Sequence, residues 1–222
     1  NFALGPPVTL DGNDEPNPLF LFIAGSTLDT AANSYFILTN GAKAENVIWA
    51  LGSAATLGAN SVLEGSILAG TAITFGTQSE LNGCALAQSA VTFASEGSTN
   101  GLPYIDGGVS SDPACDPNTA ATSSPSSETL SKNGVCQNFA VHARTMVSFD
   151  GVQSTISTGD VGVSPGTAIT GNVNIVDGMQ YTGTSSQNFA DSVLAAHAAA
   201  IATPAVAMAI EMGGLTFTPG TY

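Results

Sequence analysis

Three segments decide the fold when aligned: Ile48-Trp-Ala-Leu-Gly-Ser-Ala-Ala-Thr-Leu-Gly, Ser66-Ile-Leu-Ala-Gly-Thr-Ala-Ile-Thr-Phe-Gly and Cys84-Ala-Leu-Ala-Gln-Ser-Ala-Val-Thr-Phe-Ala. Each follows the last by 18 residues, and the columns match: Ser53/Thr71/Ser89, Ala54/Ala72/Ala90, Ala55/Ile73/Val91, Thr56/Thr74/Thr92 and Leu57/Phe75/Phe93. An earlier copy, Phe22-Ile-Ala-Gly-Ser-Thr-Leu-Asp-Thr, fits the same frame 27 residues upstream and carries a longer loop. A period of this length holds three short strands and three corners, and stacked coils of that kind make a parallel β-solenoid.

Strand alternation assigns the faces. Leu28, Ala55, Ile73 and Val91 point inward, as do Leu57, Phe75 and Phe93. The other parity carries Thr27, Ala54, Ala72 and Ala90, then Asp29, Thr56, Thr74 and Thr92, and faces out. Another strand runs through Val62-Leu-Glu and Glu80-Leu-Asn, with Leu63 and Leu81 inward. The remaining strands, Phe20-Leu-Phe-Ile-Ala, Val47-Ile-Trp-Ala-Leu, Ser66-Ile-Leu-Ala and Cys84-Ala-Leu-Ala, are apolar on both parities, so another element must cover them. The Ala-rich stretch Ser186 to Thr203, with a cap-type Ser before it and Pro204 after it, is the expected cover. Phe189, Val193, Leu194, Ala198 and Ile201 form its expected packing stripe. Val193 to Ile210 is too poor in large apolar residues for a membrane span. Gly159, Gly162, Gly166 and Gly171 are expected at corners of a C-terminal continuation, where Ser154-Thr-Ile-Ser and Thr167-Ala-Ile-Thr resemble Thr71-Ala-Ile-Thr.

The 222 residues suit one sizeable core and carry a net charge of −14. Charged residues make up only 9%, too few for the polar face of a helical bundle, and 43% apolar residues exclude disorder. Lys43, Lys132 and Arg144 are the only basic residues, which excludes a phosphate-tracking surface for nucleic acid and a basic patch for anionic lipid. The negative charge favours a monomer through self-repulsion. Cys115 and Cys136 flank a polar loop that a disulfide would close, contributing about 3 kcal/mol; two unpaired surface thiols are the alternative. Cys84 reads as a small core residue. No close cysteine pair exists, and His142 (a strand residue) and His197 (on a helix surface) share no motif, so no metal is expected. Gly162-Val-Ser-Pro-Gly matches a nucleophile elbow, but a strand pattern rather than a helix follows, so it reads as a corner. Asp11-Gly-Asn-Asp-Glu reads as an acidic turn. The first residues, Asn-Phe-Ala-Leu, have the look of a mature, secreted chain.

Asn46-Val-Ile-Trp, Leu63-Glu-Gly-Ser-Ile-Leu-Ala-Gly-Thr-Ala-Ile-Thr and Leu81-Asn-Gly-Cys-Ala-Leu-Ala-Gln-Ser-Ala-Val-Thr resemble the microbial ice-binding (antifreeze) proteins. So do Gly159-Asp-Val-Gly-Val-Ser-Pro-Gly-Thr-Ala-Ile-Thr-Gly and Gly213-Gly-Leu-Thr-Phe-Thr-Pro-Gly-Thr-Tyr. The resemblance covers most of the chain outside residues 98–136. It implies an irregular right-handed parallel β-helix with one long α-helix alongside. It implies a secreted, non-enzymatic, monomeric protein without a cofactor, whose partner is an ice crystal surface. Thermal hysteresis and inhibition of ice recrystallisation follow from it.

The family's Thr-Ala-x-Thr motif maps onto Thr71, Ala72 and Thr74, onto Thr167, Ala168 and Thr170, and onto Ser variants at Ser53, Ala54, Thr56 and at Ser89, Ala90, Thr92. Thr27, Ser154 and Ser157 are assigned to the same face, with the Asp29 coil at its margin. The block order departs from the family's, as in a circular permutation. In that reading residues 1–222 form one domain, 98–136 is the polar connection between the permuted parts, the disulfide secures it, and residues 1 and 222 lie close together. The rival classes are a secreted β-solenoid adhesin and a carbohydrate-binding or polysaccharide-degrading protein. A degrading enzyme needs clustered acids, and here they are dispersed.

Overall fold

The computed structural model describes residues 2–5, 7–99, 139–207 and 211–222. Cys115, Cys136 and their pairing, Asn1, and nearly all of the 98–136 connection lie outside those residues. Ser98–Thr99, expected in the connection, instead form a strand paired in parallel with Glu80 and Leu81.

Among the described residues every strand pairing is parallel, and successive coils lay strands on three strips. The first strip runs through Phe2–Leu4, Leu28–Thr30, Ala55–Leu57, Ile73–Phe75 and Ala90–Phe93. It continues into the first parts of Met146–Ile156 and Ala168–Ile175. The second strip holds Thr216–Phe217, Val8–Asp11 and Phe36–Thr39 in one sheet, then Val62–Glu64, Glu80–Asn82, Ser98–Thr99 and the later parts of the same two long strands. The third strip runs Gly220–Thr221, Phe20–Ala24, Val47–Leu51, Ser66–Ala69, Ala85–Ala87, Phe139–Ala143, Asp160–Val163 and Gln180–Thr182. The segment 211–222 therefore stacks beyond the coil that begins at Phe2, with Ala3 bridged to Glu211.

The repeat columns become the core. Leu28, Ala55, Ile73, Val91 and Val147 are buried on one inner line, and Leu57, Phe75, Phe93 and Phe149 on the next. Phe75 stacks on Phe93 at 4.0 Å between centroids, and Phe93 on Phe149 at 4.9 Å. Leu63 and Leu81 point inward as expected. Trp49 stacks on Phe22 at 4.3 Å, and its buried indole N–H donates to the Glu64 carbonyl at 2.8 Å.

The corner between the first and second strips uses left-handed residues that are not glycine: Asn33, Asn60, Gln78 and Glu96, with φ of 60°, 55°, 57° and 61°. Asn tolerates that conformation; Gln and Glu are less suited to it, and a side-chain bond from Gln78 Nε2 to Glu96 Oε2 at 2.6 Å holds this pair. Gly159 and Gly171 do take positive φ. Gly162 corrects the corner assignment. It lies within the strand Asp160–Val163, where a Cβ would stand 2.6 Å from the rings of His142 and Phe139.

Helix α1, Gln187–Ile201, covers the doubly apolar strip. Its 15 residues span about 22 Å, close to the ~19 Å across the five strands from Phe139–Ala143 to Phe20–Ala24. It thus returns the chain from one end of the stack toward the other. No helix among the described residues is long and apolar enough to cross a membrane. Ser186 occupies the N-cap position without a side-chain cap bond, because its hydroxyl lies 3.2 Å from His142 Nε2 beneath the helix.

The packing stripe differs from the expected one. Phe189, Ala190, Val193, Ala196 and Ala200 are buried, whereas Leu194 is 41% exposed and Ala198 and Ile201 also face outward. Small residues win because the sheet beneath already supplies the bulk: Leu21, Leu68, Leu86 and Phe139 rise from it. His197 is not a free surface residue. Its Nε2–H donates to the Leu51 carbonyl at 2.7 Å, and Nδ1 lies 2.9 Å from Gln88 Nε2.

We expect Phe189→Ala to cost about 3 kcal/mol or more, and Leu194→Ala to stay within about 0.5 kcal/mol, both read from urea unfolding. A second expectation concerns pH. Burial foremost, with the charge of Arg144 adding to it, lowers the pKa of His142 from 6.5 to about 4. The unfolded chain therefore takes up that proton first as pH falls. His142 contributes its full stabilisation above pH 6.5 and loses about 3 kcal/mol of it on acidification to about 4. Unfolding free energies across that window should fall less steeply in His142→Gln than in the wild type.

Candidate functional site

The outward side of the first strip is built by register. One column reads Ala3, Asp29, Thr56, Thr74, Thr92, Ser148 and Thr170, each paired with the next. A second column holds Ala54 and Ala72, whose carbonyls accept from Leu28 N–H at 3.0 Å and Ala55 N–H at 2.9 Å. It continues through Ala90, Met146 and Ala168. At the preceding corner, Thr71 N–H donates to Ser53 O at 3.0 Å, Ser89 N–H to Thr71 O at 2.7 Å, and Thr145 N–H to Ser89 O at 2.9 Å. Thr167 precedes Ala168 at the same corner.

Parallel pairing makes this a grid. Rows lie about 4.8 Å apart, and the two outward columns about 6.6 Å apart along the strand. No charged residue occurs at 53–56, 71–74, 89–92, 145–148 or 167–170. Thr is β-branched, so its χ1 is already restricted, and the strands Ala55–Leu57, Ile73–Phe75 and Ala90–Phe93 are each paired on both sides. Chemically the grid offers methyls and hydroxyls at fixed spacing and no charge.

Most of the expected residues converge here: Ser53, Ala54, Thr56, Thr71, Ala72, Thr74, Ser89, Ala90, Thr92, Thr167, Ala168 and Thr170. Thr27 reaches the margin, where its hydroxyl donates to Asp29 Oδ2 at 2.9 Å. Ser154 and Ser157 do not belong to this face. Ser154 is buried on the second strip with its hydroxyl 3.4 Å from the Ala94 carbonyl, and Ser157 follows the end of that strand, its N–H donating to Thr99 O. Their motif resembles the first-strip motif, but Met146–Ile156 has already turned the corner before it arrives. The residues that fill the row instead are Thr145, Met146 and Ser148. Their signal was Thr-Met-Val-Ser-Phe, but it stands 56 residues after its partners rather than 18.

Other sites are weaker. Ser164 is buried and its hydroxyl donates to Gln187 Oε1 at 2.7 Å, so it is no exposed nucleophile. His142 faces Ser186 rather than Ser164. Asp11 accepts from Asn13 N–H at 2.9 Å and from Asn40 Nδ2 at 2.8 Å, which closes the acidic turn and lowers its pKa. Among the described residues, no group of His, Cys, Asp and Glu is placed to hold a metal. Cys84 is buried and unpaired.

The Ice-binding-like family model matches residues 2–134. Over 62 residues the chain is 52% identical to an ice-binding protein of Nostoc sp. (strain HG1), covering 28% of this chain and 23% of that protein. Over 63 residues it is 33% identical to ice-binding protein 1 of Shewanella frigidimarina (strain NCIMB 400), covering 28% of this chain and 7% of that protein. The matches thus span less than a quarter of either relative's length. A crystal structure of an ice-binding protein from an Antarctic ascomycete, Antarctomyces psychrotrophicus, aligns with a TM-score of 0.42 and 44% identity over 45% of this chain and 48% of that one. The family match covers more than half of the sequence and includes the grid rows at 53–56, 71–74 and 89–92, and the chain belongs to the Ice-binding-like family.

Proposed function

We propose that this chain adsorbs to ice through the outward side of its first strip. The observation that carries the reading is the in-register column Thr56, Thr74 and Thr92 beside Ala54, Ala72 and Ala90, free of charge. Ice presents a rigid array of oxygens and no net charge. A surface that matches it must hold water in place without a strong field. Methyls confine water between the rows, and threonine hydroxyls anchor it. A grid already frozen by strand pairing loses little side-chain entropy when it meets the crystal.

Bound molecules pin the growing surface. Ice between them must bulge, and a curved front melts more readily than a flat one. Thermal hysteresis and inhibition of recrystallisation follow. The protein acts as a secreted monomer, without catalysis or cofactor, since its partner forms outside the cell. A permuted chain order belongs to the same reading. In support, the rings of Phe2 and Tyr222 both pack on Phe22, at 6.3 and 5.4 Å.

The test is ice growth on a cooling-stage microscope, with circular dichroism to confirm folding. Wild type and Asn174→Tyr, a change on the second strip, are expected to shape and arrest crystals. Thr74→Tyr is expected to lose most of that activity, because one bulky ring lifts the face off the lattice. Full activity in folded Thr74→Tyr would move the site to another strip. An inactive wild type would remove the ice-binding reading and leave a glycan-binding solenoid to be screened.

A further inference from the structure

The grid has a break in one row. Met146 stands in the alanine column between Ala90 and Ala168 and is 36% exposed. In the same row Ser148 stands in the threonine column between Thr92 and Thr170, yet it is only 5% exposed. Its hydroxyl donates to Thr92 Oγ1 at 3.3 Å, and it lacks the methyl that its neighbours present. A long, flexible thioether therefore rises beside a sunken serine. The rows before it (Ala54 to Thr56, Ala72 to Thr74, Ala90 to Thr92) and after it (Ala168 to Thr170) keep the small pattern.

We propose that Met146 and Ser148 are activity-limiting residues of this face: they divide it into a three-row patch and a separate single row that cannot engage one flat crystal plane together. The inference rests on the ice-binding reading of the strip. The bump holds the last row away from a plane touching the first three, and ordering a Met side chain against ice costs entropy that Ala does not lose. The row also follows the long insertion, standing 56 residues after its partner row where the preceding coils are 18 apart.

Thermal hysteresis at equal molar concentration tests this, on wild type, Met146→Ala, Ser148→Thr and the double variant. Joining the rows extends the contact from three to five. The double variant should gain about 1.7-fold if adsorption scales with the area brought into register, with Met146→Ala giving the larger share. Met146→Thr supplies a second route if the double variant fails to fold. An active wild type whose folded variants show no gain, or a loss, overturns the proposal and makes Met146 an ice contact in its own right. An inactive wild type overturns the ice-binding reading itself, so the two failures are distinguishable.

Discussion

In-register parallel pairing between successive coils is the constraint on which the rest depends. Because Ile73 faces Ala55 and Val91, Thr74 necessarily faces Thr56 and Thr92, and Phe75 faces Leu57 and Phe93. One alignment thus sets the stacked core rings on the inside and the small-residue grid on the outside. A slip of one residue would exchange them, placing threonine in the core and phenylalanine in water. The hydrophobic column therefore enforces the register and spacing of a surface it does not touch.

Such a stack needs a covered side and a way back for the chain, and α1 provides both. The third strip is apolar on its outer side as well, through Leu21, Ile48, Ala50, Leu68 and Leu86. The helix lies over it and delivers the chain toward the coil at 211–222. His197 ties the helix to the Leu51 carbonyl, and His142 sits buried and neutral beneath its first turn. The fold thus spends its apolar surface on two of its sides, the interior and the helix layer, and leaves the first strip bare.

Much of this was legible in the repeat. The inward and outward columns, the covered strip, the helix and the greater part of the grid all follow from residues 48–94 and 186–204 read against strand and helix periods. What escaped did so for physical reasons. An Ala-rich helix carries little directional signal, so Leu194 and Ile201 read as packing residues although in the helix's C-terminal half it is Ala196 and Ala200 that are buried. The Thr145 row was hidden by the insertion, which replaces the 18-residue spacing with 56. Ser154 and Ser157 carried the correct motif on the wrong strip, because side-chain pattern does not reveal which corner a strand has passed. Left-handed Gln78 and Glu96 likewise had no sequence signature, since they continue the stacked corner begun by Asn33 and Asn60 rather than follow a local preference.

An uncharged grid held by backbone register is proposed to bind the ice surface. The most direct test is ice partitioning of the wild-type protein. A slowly grown ice shell is frozen from a solution that also contains a non-binding globular protein, and the two concentrations are compared in ice and in liquid. This chain is expected to be enriched in the ice while the companion protein is excluded. Equal exclusion of both would contradict it.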